Sequence, residues 1–255
     1  MSKKVKVAIV GAGTAGLNAM GQLRRVTDDF HRRKLFPRED IDGDEGLSVD
    51  IPESFEHVRD IRDILVDRVL DHSTDEMGDE LIDGYARFTG PGVLEVNGET
   101  IEAENIVLAA GTKPVVPEPW QAFGDRILTT DNLFEQEEWP ASLAVIGLGV
   151  IGLELGQALS HMGIDVTGFD LAGVVGGIND PAINQLMLDI VDKEFPMHLG
   201  ESVELEECEG GFKVSAGEHS VVVEKVLVCM GRRSNLSAMN IEQAGVALME
   251  NGLPD

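Results

Sequence analysis

Two glycine triplets carry the strongest chemical signal in the chain. Gly11, Gly13 and Gly16 stand in VKVAIVGAGTAGLNAMGQLRR (residues 5–25). Gly147, Gly149 and Gly152 stand in SLAVIGLGVIGLELGQALSHM (residues 142–162). Each G-x-G-x-x-G follows an apolar strand pattern and opens a helical one. In that setting the first glycine permits a tight turn and the second lets backbone approach a pyrophosphate. The third allows a helix to pack closely on a strand, and the helix N-terminus offers N–H groups and a positive dipole end to phosphate. A single such motif is weak, but two copies in the same strand–helix context are a specific signature.

The second copy completes a βαβ unit. Leu143–Ile146 reads as a buried parallel strand. Apolar residues at 151, 155, 158, 159 and 162 form a helical stripe, and Gly163 is placed to end the helix. Ile164–Phe169 is then the second strand, ending at Asp170, 23 positions after Gly147. An acid there accepts hydrogen bonds from a ribose 2′-hydroxyl. Leu171, Ala172 and Gly173 follow with no Arg to hold a 2′-phosphate, which favours NAD over NADP. In the first copy the same 23 positions lead to Lys34, within the basic stretch HRRKLFPRED, so its second strand and acid are missing.

Further elements follow from pattern. Pro52–Leu70 is a charged amphipathic helix. Leu81–Ile101 holds short strands around Gly90-Pro91-Gly92 and Asn97-Gly98, the latter a hairpin signal, and Asn105–Ala109 is a buried strand. Prolines 114, 117 and 119 mark a crossing linker. Ser202–Glu206, Phe212–Ser215, Ser220–Val223 and the buried run Val226–Met230 complete the strands. The fold class predicted is α/β, two Rossmann-like three-layer domains with the first incomplete. The domains are residues 1–139 and 140–255.

Composition excludes several classes. The chain has 255 residues, 46 Asp+Glu and 20 Lys+Arg, for a net charge of −26, and 43% apolar residues. That acidity argues against nucleic acid, whose phosphates attract Lys and Arg. No window approaches the ~18 uncharged apolar residues of a membrane span. Cys208 and Cys229 cannot make a disulfide framework, which fits a reducing cytosol and a cytoplasmic protein. Cys229 sits in an apolar strand and reads as core, and Cys208 lies in an acidic stretch with no cation beside it. The six histidines are scattered without metal-ligand spacing, and no catalytic residue or metal site is assigned.

Four segments in order resemble the flavin-dependent pyridine nucleotide–disulfide oxidoreductases, with the dihydrolipoamide dehydrogenase branch most similar. They are VAIVGAGTAG, IVLAAGTKP, VIGLGVIGLELGQAL and LVCMGRRSNL. The resemblance implies FAD and NAD as cofactors. It places Gly11, Gly13 and Gly16 at the FAD pyrophosphate, and Gly84-Tyr85-Ala86 where backbone approaches the adenine. Ala110, Gly111 and Thr112 fall where the chain returns to the flavin nucleotide. Gly147, Leu148, Gly149, Val150, Ile151, Gly152, Leu153 and Glu154 become the NAD loop, Glu154 standing at the acid near the nicotinamide. Asp170 takes the ribose-acid position, usually Glu, and Gly231 lies beside NAD in the G-R-x-P-N segment, with Ser234 in place of its proline.

The departures are equally definite. The family's C-x-x-x-x-C redox pair, the flavin-side lysine and the acid for the FAD ribose are absent, the chain jumping at Val26–Phe30 to the helix that follows the cysteines. The Gly-Asp of the flavin ribitol site and the dimerisation domain with its His-Glu pair are also absent, although the family forms homodimers. The functional expectation is a dihydrolipoamide dehydrogenase-like flavoprotein oxidoreductase impaired in disulfide chemistry. The alternative is a non-catalytic NAD-binding remnant or an assembly or regulatory module. A parallel sheet short of an interior strand leaves edges and apolar faces open. Hydrogen exchange should therefore be faster across residues 1–139 than across 140–255, and uniform protection would refute this.

Overall fold

The computed structural model describes residues 2–10, 49–71 and 77–249. Two compact units account for them. One gathers 2–10, 65–71, 77–113 and 232–249, and the other 49–64 and 114–231. Residues 114–139 thus lie in the second unit. Gly11, Gly13, Gly16 and the junction at 26–30 fall outside the described residues.

In the first unit a four-stranded sheet runs β1-β4-β3-β2, formed by β1 Ser2–Val10, β2 Arg87–Gly90, β3 Val93–Val96 and β4 Glu99–Leu108. β1 pairs parallel with β4, and β2, β3 and β4 form an antiparallel meander. The Asn97-Gly98 hairpin is present, with φ +52° and +83° at its two turn residues. Both values match the mirror-image turn that suits a right-twisted hairpin. Phe88, Leu94, Val96 and Ile101 pack with Leu236, Met239 and Ile241 into one small core. The predicted strand Asn105–Ala109 is the end of the ten-residue β4 rather than a separate element. It is open on one face, with Asn105 exposed and Val107 49% exposed, as are Val7 and Ile9 of β1 at 52% and 67%.

The second unit is built on a five-stranded parallel sheet. Its strands are β6 Ile127–Leu128, β7 Ser142–Ile146, β8 Asp165–Asp170, β9 Met197–Leu199 and β13 Lys225–Val228, in the order β6-β13-β7-β8-β9. Strict alternation sorts the buried side chains onto two faces. Leu143, Val145, Val166 and Leu227 face a helical layer, whereas Ala144, Ile146, Phe169, Val226 and Val228 face an antiparallel sheet. That second sheet is β10 Val203–Cys208, β11 Gly211–Ala216 and β12 His219–Val223, contributing Phe212, Val214 and Ala216.

The helical layer contains residues 51–64 of α1 (Ile51–Asp71), with α2 Val150–His161 and α3 Pro181–Val191. α3 has a clear sequence signal not used above: Asp180 caps it by accepting from the N–H groups of Ala182 and Ile183, and Pro181 fills the first turn. Among the described residues no helix is long and apolar enough to cross a membrane.

The start of α1 belongs to this second core. Phe55 and Val58 are fully buried, and Phe55 stacks on Trp139 with ring centroids 3.9 Å apart. Arg59 Nη1 donates to the carbonyl of Phe134 at 3.1 Å, and Arg62 pairs with Glu135 and Asp63. A Phe55→Ala substitution should cost about 3–5 kcal/mol, because it removes a large side chain from a site that cannot fully collapse. Chemical denaturation of both proteins checks this through the shift in midpoint at unchanged slope.

Candidate functional site: a dinucleotide groove

The site forms where the parallel strands end. β7 delivers the chain into Gly147, which turns at φ +97°, and α2 begins at Val150 with Gly149 as its N-cap. A β-carbon at Gly147 would lie 2.5 Å from the carbonyl oxygen of Cys229. One at Gly152 would lie 1.9 Å from the carbonyl oxygen of Gly147. Both glycines are therefore demanded by backbone packing alone. Gly149 is different. Its φ of −64° suits any residue, and a β-carbon there would meet no protein atom within 4 Å. Neither backbone conformation nor packing requires glycine at 149, and the space it leaves opens onto a groove.

That groove, about 580 Å³, is lined by Gly147, Gly149, Asp170, Leu171, Trp120 and Cys229 among others. Its walls are mostly apolar, its floor is the glycine turn, and Asp170 brings the carboxylate. The N-terminus of α2 points unsatisfied N–H groups and a partial positive charge at the mouth, since no side chain caps it. The donors, the empty volume at Gly149 and the strand-end acid fit a dinucleotide.

The remaining predicted residues take distinct places. Leu148 is fully buried, Leu153 is 9% exposed, and Ile151 packs against the same helical core, so only their backbone can face a ligand. Val150 is 61% exposed, and Glu154 is half-buried in the first turns of α2. Asp170 is more engaged than the sequence suggests. Its Oδ2 accepts from the Leu148 N–H at 2.5 Å and its Oδ1 from the Ala172 N–H at 2.7 Å. The run Val226–Met230 is buried only to Val228. Met230 is 47% exposed, and the Cys229 thiol, buried against the glycine turn, is pushed up to about 12 by desolvation. Such a thiol stays protonated at neutral pH and is no nucleophile. Gly231, at φ +100°, accepts from the Val115 N–H at 3.0 Å. His198 of β9 stacks on His219 at 4.2 Å, and burial together with that neighbour lowers its pKa.

The first unit holds the other described candidates. A β-carbon at the exposed Gly84 would lie 2.7 Å from the Asn97 side-chain amide, which would have to shift to admit it. Tyr85 is 97% exposed and Ala86 packs against the small core. The segment Ala110-Gly111-Thr112 is clasped from a distance in sequence. Asn235 Nδ2 donates to the carbonyl of Ala110 at 3.0 Å and the Asn235 N–H to that of Gly111 at 3.1 Å. Arg232 donates through Nε to Thr112 Oγ1 and through Nη2 to its carbonyl, both at 2.7 Å. Sequence reading marked the 231–235 segment for Gly231, and the polar clasp is what it missed.

Residues 5–254 match the pyridine nucleotide-disulphide oxidoreductase family. The chain belongs to that family. Its members use FAD and a nicotinamide dinucleotide. The chain is similar to the dihydrolipoyl dehydrogenase of Thermus scotoductus, at 34% identity over 182 residues, which is 68% of this chain and 39% of that enzyme. It is also similar to the mercuric reductase of Staphylococcus aureus, at 31% over 185 residues, 70% of this chain and 34% of that enzyme. The chain thus spans well under half the length of these relatives. In fold it is similar to the HOCl-induced flavoprotein disulfide reductase of Escherichia coli in its Cu(II) complex. There the TM-score is 0.79 at 20% identity, covering 99% of this chain and 62% of that one. The family and the structural likeness together bear out the α/β, Rossmann-like reading.

The two kinds of glycine separate in a substitution test. Gly152→Ala should destabilise the second unit strongly, because its methyl group collides with backbone. Gly149→Ala should leave the melting temperature within about 2 °C of the parent yet weaken NADH binding about tenfold or more. Thermal melts and NADH titrations of the two variants check both.

Proposed function

We propose that the chain is a dihydrolipoamide dehydrogenase-like flavoprotein oxidoreductase that moves a hydride between NADH and a flavin, with its disulfide chemistry impaired. The observation that carries this is the glycine turn at 147–152, with two glycines fixed by packing and Gly149 opening onto a groove that ends at Asp170. The proposed FAD-binding part, residues 1–139, and NAD-binding part, 140–255, differ from the compact units in that 49–64 and 114–139 belong to the second unit and 232–249 to the first. The bound cofactors supply hydride donor and acceptor. The chain's own residues orient them.

In the NAD-binding part the N–H groups at the start of α2 face the diphosphate, and the half-buried Glu154 two positions past Gly152 takes the acid position near the nicotinamide. Asp170 addresses the adenosine ribose. Its negative charge, with no Arg among Leu171, Ala172 and Gly173, disfavours a 2′-phosphate and supports NAD as the coenzyme. For the flavin, the described residues contribute the clasped 110–112 segment, which holds the chain where the family returns to its flavin nucleotide.

The impairment rests on the thiols. Disulfide exchange needs a thiolate beside a second cysteine. This sequence has cysteines only at 208 and 229, and Cys229 is held protonated by burial. The same observation supports a second reading, a non-catalytic NAD-binding module that serves assembly or regulation.

Visible absorption of the flavin-reconstituted protein, before and after NADH, separates the two. The expected result is a bound flavin band that bleaches on adding NADH, with no turnover of lipoamide. A protein that binds NADH but stays colourless supports the module instead. A protein that turns over lipoamide overturns the impairment.

A further inference from the structure

The geometry points to Asp170 as a positioning residue for the glycine turn itself, in addition to any contact with a ribose. This rests on the nucleotide reading above for its functional consequence, while its structural content stands on the coordinates alone.

Asp170 ends β8, one strand away from the turn it touches. Its two carboxylate oxygens are divided between two backbone segments. Oδ2 takes the N–H of Leu148, in the middle of Gly147-Leu148-Gly149, and Oδ1 takes the N–H of Ala172, at the start of the loop after β8. The side chain therefore ties the floor of the groove to its wall. Other bonds converge on the same two places. The Gly147 N–H donates to the carbonyl of Phe169 at 2.8 Å and the Gly176 N–H to the carbonyl of Leu148 at 2.7 Å. The Gly200 N–H donates to the backbone carbonyl of Asp170 at 2.9 Å. Leu148 thus has both its backbone donor and its acceptor engaged, and its side chain is fully buried. The residue between the two phosphate-facing glycines is pinned on three sides, and Asp170 supplies the one charged pin.

A carboxylate is suited to this task and an amide is not. Two N–H donors approach the two oxygens, so both must be acceptors. Asparagine would satisfy one donor and turn its own NH₂ against the other. Toward a ribose hydroxyl, by contrast, asparagine can still donate or accept. Asp170→Asn therefore separates holding the turn from binding the sugar. Each oxygen retains lone pairs beyond the bond it makes here, so both roles fit one side chain.

The test uses the whole chain, with Asp170→Asn and Asp170→Ala beside the parent, and reads amide exchange by NMR together with two titrations. One titrant is NADH and the other is the analogue lacking the adenosine 2′-hydroxyl. In both variants the expected result is faster exchange, about tenfold or more, at Leu148, Ala172 or both, with Gly147 and Cys229 amides unchanged. Affinity for the deoxy analogue, which lacks the ribose contact, should fall about 10- to 100-fold in both variants, and affinity for NADH by at least as much. Unchanged exchange at both amides overturns the proposal. So does a loss confined to NADH, which would mark a ribose contact alone. Should the Ala variant loosen throughout, seen as faster Gly147 and Cys229 exchange, the Asn variant decides by the same criteria. A parent protein that binds no NADH would overturn the nucleotide reading, and the exchange data would still decide whether Asp170 holds the turn.

Discussion

The second unit depends on one close approach, the carbonyl of Gly147 against the α-carbon of Gly152. No side chain of any size fits between them. The contact sets the distance between the end of β7 and the start of α2, and that distance fixes everything the helix buries. Leu155, Ala158 and Leu159 reach Leu143, Val145 and Val166 only if α2 lies flat on the sheet from its first turn. The same contact aims the uncapped N–H groups of α2 outward over the strand ends, where an anion can meet them. Packing and ligand chemistry are satisfied by a single backbone geometry.

The constraint spreads through the register of the parallel sheet. Cys229 donates its N–H to the carbonyl of Ile146 at 2.7 Å, Gly147 to Phe169, and Gly200 to Asp170, so four strand ends are laced together at one level. Two further glycines serve this lacing from below. Gly156 of α2 and Gly168 of β8 both face the ring of Phe195, with a β-carbon at either approaching it within about 3.0 Å. Phe195 is 3% exposed and fills the space that the two glycines leave. A rigid, glycine-lined seam therefore runs from the groove into the core, which is what a site that must hold an extended ligand needs.

How much of this was legible in the sequence follows from the range of the interactions. The strand, the turn and the stripe of α2 are set by neighbours within four residues. They could be read directly, as could the Asn97-Gly98 hairpin, where two positive φ values select the residue types. The Asp170 position could be counted, but its bonds to Leu148 and Ala172 could not, since they depend on how two loops fold over the sheet edge. Arg232 and Asn235 meet residues 110–112 across 120 and 125 positions, and only the fold brings them together. Among the described residues β1 and β4 expose Val7, Ile9 and Val107. The strand Asn105–Ala109 was misjudged as buried because apolar runs report propensity and not which faces are covered.

The glycine turn also bears on the sulfur chemistry. Cys229 follows β13 directly beneath the turn, its β-carbon 3.3 Å from where a side chain on Gly152 would begin. A thiol in that place is partly buried at the edge of the groove, and desolvation raises its pKa to about 12. Were it ionised, its charge would lie below the site where a diphosphate is expected, adding repulsion to the cost of burial. The geometry that shapes the glycine turn thus keeps the neighbouring cysteine protonated. Cys229 therefore offers no thiolate at neutral pH. The groove's shape rests on backbone and glycine packing at Gly147 and Gly152, and not on a reactive sulfur.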